Sequence, residues 1–147
     1  MKLSKALKLK NKKVNEYNVT VTKMVSHNSY DVDTKRVYNS NVLLEEAIKQ
    51  QNDLIKFKTA IHLTTEPIRE KIFRLAELKN FLMNLSRLNT TEGKVKSRGY
   101  DGSDVSVYEC FINEEQKVQL MTSIQNTIEE IQDEIDTFNA TTDLKGY

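Results

Sequence analysis

Apolar residues recur at alternating steps of three and four along most of this chain, a rhythm that predicts helices with one buried stripe. From the N-terminus, Leu3, Leu7, Val14, Tyr17, Val21 and Met24 keep the rhythm, with Lys10 at the step where an apolar residue is missing. A first helix over 3–25 follows, a heptad seam with one polar interruption. Its end reads two ways, because the β-branched run at 19–25 also suits a short strand. Residues 26–41 have no helical period and are rich in turn formers, which predicts a long loop with a short extended piece at 35–38. A loop of that length is uncommon in a small domain and marks function or mobility.

The second helix is predicted over 42–63, capped by Ser40 or Asn41, with Glu45 and Glu46 suited to the positive end of its dipole. Leu44, Ala47, Ile48, Leu54, Ile55, Phe57 and Ile61 make its apolar face, and Gln50, Gln51 and Asn52 interrupt it. The run Thr64-Thr65-Glu66-Pro67 reads as a stop and restart: a threonine cap, then a proline tolerated in a first turn. The third helix, 66–88, is lined by Ile68, Ile72, Leu75, Leu78, Leu82, Leu85 and Leu88 and widened by Phe73, Phe81 and Met83. Its apolar content predicts the central position. Three of the four glycines fall in 89–112, where two β-prone segments flank "GYDGSD", and this predicts a β-hairpin. Asn113 and Gln116 then form a capping-box pattern. Val118, Met121, Ile124, Ile128, Ile131, Ile135 and Phe138 carry the clearest periodicity of the chain in a fourth helix. The expected fold is mainly α: one domain, 1–147, an antiparallel bundle of about four long helices with a small β-hairpin excursion between helices three and four.

Charge changes the picture by its distribution. The net value is +1, yet residues 1–25 hold seven lysines against Glu16 alone, and residues 113–147 hold eight acids against two lysines. Opposite charge predicts that the first and fourth helices neighbour each other, within a subunit or between subunits. The lysines Lys2, Lys5, Lys8, Lys10, Lys12 and Lys13 read as scattered around their helix, and are candidate phosphate contacts for nucleic acid or an anionic surface. A solvated or acid-paired face is the simpler reading.

Recognisable chemistry is sparse. The chain has no P-loop, GxGxxG, HExxH or CxxC, and its one cysteine excludes an internal disulfide. His62 suits a helix end, where it would cap carbonyls, and His27 a solvated loop. Glu129, Glu130, Asp133, Glu134 and Asp136 lack the Glu-x-x-His partner of a di-iron bundle and read as an outward acidic face. No metal, cofactor or catalytic residue is expected, although an unrecognised site near Cys110, Tyr108 and Arg98 stays open as an enzyme reading. Arg98, Tyr100, Asp101 and Tyr108 on the hairpin are the candidate partner contacts. Four Asn-x-Ser/Thr sequons occur, at Asn18, Asn84, Asn89 and Asn139. Two lie in predicted helices and no secretory leader is expected, so "FNATTDL" reads as a helix terminus, with Asn139 in a left-handed turn and Leu144 packing back.

The opening "MKLSKAL", the run "AIHLTT", the helix "IREKIFRLAELKNFL" and the acidic end "IQDEIDTFNATTDL" together resemble the septicolysin family, small helical proteins of bacteria and their mobile elements. The resemblance spans nearly the whole chain and implies a helical fold without established activity, catalytic residues or cofactor. Its first helix departs from the family, being lysine-rich where the family tends to be acidic. The expected function is non-enzymatic assembly through helix contacts, with itself or other protein subunits, as a component of a phage-like particle or other large complex. The alternative is a nucleic-acid- or anionic-surface-binding module. The expected place is the cytoplasm or a virion-like particle, without a transmembrane segment.

Overall fold

The computed structural model describes residues 1–96 and 104–147. In chain order it contains α1 (Leu3–Ser26), α2 (Ser40–Thr65), a 3-10 turn (Glu66–Ile68), α3 (Arg69–Ser86), β1 (Gly93–Lys96), β2 (Val105–Tyr108) and α4 (Glu114–Thr141). The β-branched run at 19–25 is helical to Ser26, and 35–38 pairs with no strand.

The expected four separate helices become three helical stretches, because the chain does not stop at Pro67. Thr65, Glu66 and Arg69 all keep right-handed helical backbone. A proline inside an α-helix lacks a donor and crowds the preceding turn, and the tighter 3-10 turn absorbs both effects locally. The threonine hydroxyls donate backward, Thr64 to the Ala60 carbonyl at 2.7 Å and Thr65 to that of Ile61 at 3.0 Å, rather than capping a new start.

Contacts group the chain into two compact units, Met1–Arg69 with Asp136–Tyr147, and Glu70–Ile135. In the first, α1 and α2 run antiparallel: Ser40 donates to Met24 O near one end, and Leu3 packs with Phe57 and Ile61 near the other. Leu3, Ala6, Phe57 and Ile61 form its buried core, with Leu7, Leu9, Phe138 and Leu144 packed around them. Ala60 and Thr64 join the α2 face expected from the pattern. Leu44, Ile48 and Ile55 leave it, standing 46, 49 and 57% exposed. Each follows a seam residue by one, which turns it about 100° around the helix. The cap of α2 is Asn39, whose side chain accepts from Asn41 N at 2.9 Å.

In the second unit α3 runs antiparallel to α4. Leu85, Ile124 and Ile128 are buried between Leu75, Leu78, Leu82 and Met121. Ile72, Phe73, Phe81 and Met83 are exposed, and Leu85 is the only residue of α3 in the buried class, so α3 is not the central helix its apolar content predicted. Asn113 and Gln116 close the capping box in both directions at 2.9 Å. The hairpin forms as expected, with Gly93 opposite Tyr108 and Lys96 opposite Val105. All eight strand residues are exposed, so neither strand face is covered.

Candidate functional site

A polar cluster lies where α1 meets α2 and the C-terminal tail. Lys13 pairs with the Asp53 carboxylate, and the Tyr147 hydroxyl donates to the other Asp53 oxygen at 2.6 Å. The Tyr147 ring meets the fully buried Phe57 ring edge-on, with centroids 4.6 Å apart, and the Lys13 ammonium lies 5.6 Å from the Phe57 centroid. Hydrogen bonding from Lys13, and then from Tyr147, holds the Asp53 carboxyl below the usual carboxylate range. The Asp53 carboxylate raises Lys13 against the opposing effect of burial, and it raises the Tyr147 phenol as well. Every group is therefore locked in its ordinary charge state, the reverse of a residue poised for proton transfer at neutral pH.

The tail reaches this cluster through a second set of contacts. Leu3 N donates to Thr142 O and Leu144 N to Met1 O, both at 2.8 Å. Lys2 Nζ donates to Thr141 O at 2.8 Å and to the Asp143 carboxylate at 2.9 Å, and the N-terminal ammonium lies 3.5 Å from the same carboxylate. Lys2 is the leading cause holding Asp143 below its ordinary value. Lys145 N donates to Thr64 Oγ1 at 3.0 Å, and Gly146 takes a left-handed φ of 74° that brings Tyr147 onto α2. Leu144 packs back as expected, but Asn139 stays helical; no non-glycine residue among those described has positive φ.

The six lysines of the phosphate reading thus separate. Lys2 and Lys13 are tied to aspartates, and Lys10 is half-buried on the seam. Lys12 lies 3.7 Å from Glu16, one turn away. Lys5, Lys8 and Lys12 fall within about 60° of one another at 100° per residue, on the side away from the seam. These three form one stripe, while the six together scatter around the helix as expected. The predicted contact of the lysine-rich start with the acidic end is made through Phe138 in the apolar core and through the ion pair of Lys2 with Asp143. Glu134 pairs instead with Lys71 of α3, while Ile131 and Ile135 are buried and the acids beside them exposed.

Of the hairpin contacts, Tyr108 lies exposed in β2, and Arg98, Tyr100 and Asp101 fall outside the described residues. Cys110 Sγ lies 3.2 Å from Thr91 O; burial, followed by Glu92, pushes its thiol up, so it is not an activated thiolate. His62 does not cap a helix end. Its Nε2 lies 3.0 Å from Arg69 Nη2, and since guanidinium only donates, that nitrogen is the acceptor. His27 is exposed just past α1, as expected, with its ring edge-on to Tyr38 and its Nδ1 2.9 Å from Lys23 O. Among the described residues no cluster of His, Cys, Asp or Glu could hold a metal ion, and no helix is long and apolar enough to cross a membrane.

Sequence reasoning missed Asp53 and Tyr147, and set Lys13 among the outward lysines. One signal was present: Ala6, Lys13 and Thr20 stand seven apart, a heptad position beside the seam. The chain matches no family model, no curated protein and no solved structure.

Proposed function

We propose that this protein is a non-enzymatic assembly component that acts through helix contacts, first with a second copy of itself, and through them within a larger complex such as a phage-like particle. The observation that carries this reading is the exposed stripe of Leu44, Ile48 and Ile55 on α2. Glu45 and Lys56 lie on the same flank of that stripe, eleven residues or about three turns apart. In an antiparallel two-fold pair centred near Gln51, Ile48 meets Ile55 of the other copy and Glu45 meets Lys56, twice over by symmetry. Six half-buried aliphatic side chains would contribute about 1 kcal/mol each on further burial. Against an association cost of about 4–15 kcal/mol, that predicts a weak pair, reinforced by avidity in a larger array.

Sedimentation velocity over a concentration series tests it. A reversible dimer is expected, lost in Ile48→Lys, weakened in Glu45→Lys and in Lys56→Glu, and restored when both charges are exchanged. A sharp monomer throughout the series overturns the self-association reading.

The alternative, binding of nucleic acid or an anionic surface, is favoured by the outward stripe of Lys5, Lys8 and Lys12. It requires DNA binding that weakens steeply with salt and disappears when these three become Gln. Binding that survives this triple change excludes it.

A further inference from the structure

The long connection between α1 and α2 borders a half-open cavity of about 350 Å³. His27, Tyr30, Arg36, Tyr38, Asn39 and Asn41 are among its lining residues, and no carboxylate lines it. The volume falls within the usual range for small-molecule sites.

We propose that this cavity binds a nucleoside phosphate, either free or as part of a single-stranded nucleic acid. Three observations support that chemistry. The Arg36 guanidinium lies 4.0 Å over the Tyr30 ring, and among the described residues no carboxylate pairs with it. Stacking fixes the plane of a guanidinium while leaving its N–H edge open, the geometry that receives a phosphate in two parallel hydrogen bonds. Tyr38 supplies a second ring, held edge-on by His27 at 4.8 Å, with Lys23 Nζ 5.1 Å from its centroid on the same helix end. Cations beside aromatic faces are the combination that binds a base and its phosphate together.

The ends of the connection are also fastened. His27 N donates to Lys23 O at 3.1 Å, and Ser40 Oγ donates to Met24 O at 2.9 Å, so both ends of the connection are fastened to the last turn of α1. Neither acid of the connection lines the cavity: Asp31 accepts from Asp33 N through its side chain at 2.9 Å, and its carbonyl accepts from the Thr34 hydroxyl. The end of α2 is not the binding group, because Asn39 already caps the Asn41 amide. Recognition rests on the Arg36 edge and the two tyrosine rings. Fastened ends lower the freedom that the connection loses on binding, which favours affinity. A flat lysine stripe, such as that of Lys5, Lys8 and Lys12, could not discriminate a base.

Isothermal titration with adenosine monophosphate, adenosine, inorganic phosphate and a short single-stranded adenine oligonucleotide tests the proposal. The monophosphate is expected to bind more tightly than adenosine or phosphate alone. Arg36→Gln is expected to weaken it about tenfold or more, from the loss of charge-assisted hydrogen bonds, and Tyr38→Leu several-fold. Arg36 is exposed, so far-UV circular dichroism should show the fold unchanged. Lys58→Gln, on α2 outside the cavity, should bind as the parent does. Equal affinity per nucleotide assigns the free ligand. Tighter oligonucleotide binding with a steeper salt dependence assigns the single strand. No binding of either nucleotide probe overturns the proposal. So does binding indifferent to Arg36→Gln, or inorganic phosphate binding as tightly as the monophosphate.

Discussion

Replacing Phe57 by alanine removes the only aromatic side chain in the buried core of the first unit. Its ring is fully enclosed by Leu3 and Ala6 of α1, by Ile61 one turn along α2, and by the Tyr147 ring above. A Phe→Ala change in a closed core costs about 3–5 kcal/mol, from lost transfer energy and from the cavity left behind. Collapse would relieve part of that, but the walls are fastened: Leu3 N is bonded to Thr142 O, and Tyr147 OH to Asp53. The edge-on ring pair adds about 0.5–1.5 kcal/mol beyond its area. The expected loss is therefore about 4 kcal/mol, a large share of the roughly 5–15 kcal/mol typical of a whole domain. Urea denaturation followed by far-UV circular dichroism measures it, with amide exchange on α1 and α2 reporting this unit alone, since two units need not unfold together. Phe73→Ala, at a ring 63% exposed on α3, is the control and should stay within about 0.5 kcal/mol. A Phe57→Ala loss below about 1.5 kcal/mol, or no larger than that of Phe73→Ala, would refute the closed-core account.

Lys13→Gln should destabilise by about 1 kcal/mol, because it leaves the partly solvated Asp53 without its cation, whereas Lys12→Gln should change little; denaturant midpoints compare the two. The lowered carboxyls of Asp53 and Asp143 set the acid limb: their contribution is complete above the ordinary value of 3.8 and is lost as pH falls through the lowered folded values, so Asp53→Asn should flatten the acid slope of stability. The raised Lys13 and Tyr147 act at the other end, their contribution complete below about pH 10 and lost as pH rises through their folded values. Asn113→Ala opens the capping box and should cost about 1 kcal/mol, with faster amide exchange at Gln116.

The buried faces of the helices were legible because their spacing alone defines them. Ile124, Ile128, Ile131 and Ile135 are buried, as their rhythm requires. What spacing could not separate was a seam from the row beside it. Ala47 with Leu54 and Ile48 with Ile55 both recur at seven, and only the position of α1 decides which pair is covered. Pro67 misled for a related reason: a helix stop and a local 3-10 tightening share the same residues, and the continuing helical backbone separates them. The Lys13–Asp53–Tyr147 cluster was invisible because its members are far apart in sequence and carry no motif. The aromatic-lined cavity was signalled only by the length of its loop.

The order of synthesis gives the tail a further meaning. The first unit combines Met1–Arg69 with Asp136–Tyr147, so α1 and α2 are made before Phe138, Leu144 and Tyr147. Phe57 then stays partly uncovered on a growing chain, at about 5–20 residues added per second. Pairing of α3 with α4, which sets Lys71 beside Glu134, shortens the loop that the tail must close, and closure entropy rises only slowly with loop length. A chain truncated after Ile135 should therefore protect α3 and α4 from amide exchange as the whole chain does, while α1 and α2, lacking Phe138, Leu144 and Tyr147, exchange faster than they do in it. Phe138 and Leu144, made after α3, complete the core that α1 and α2 begin.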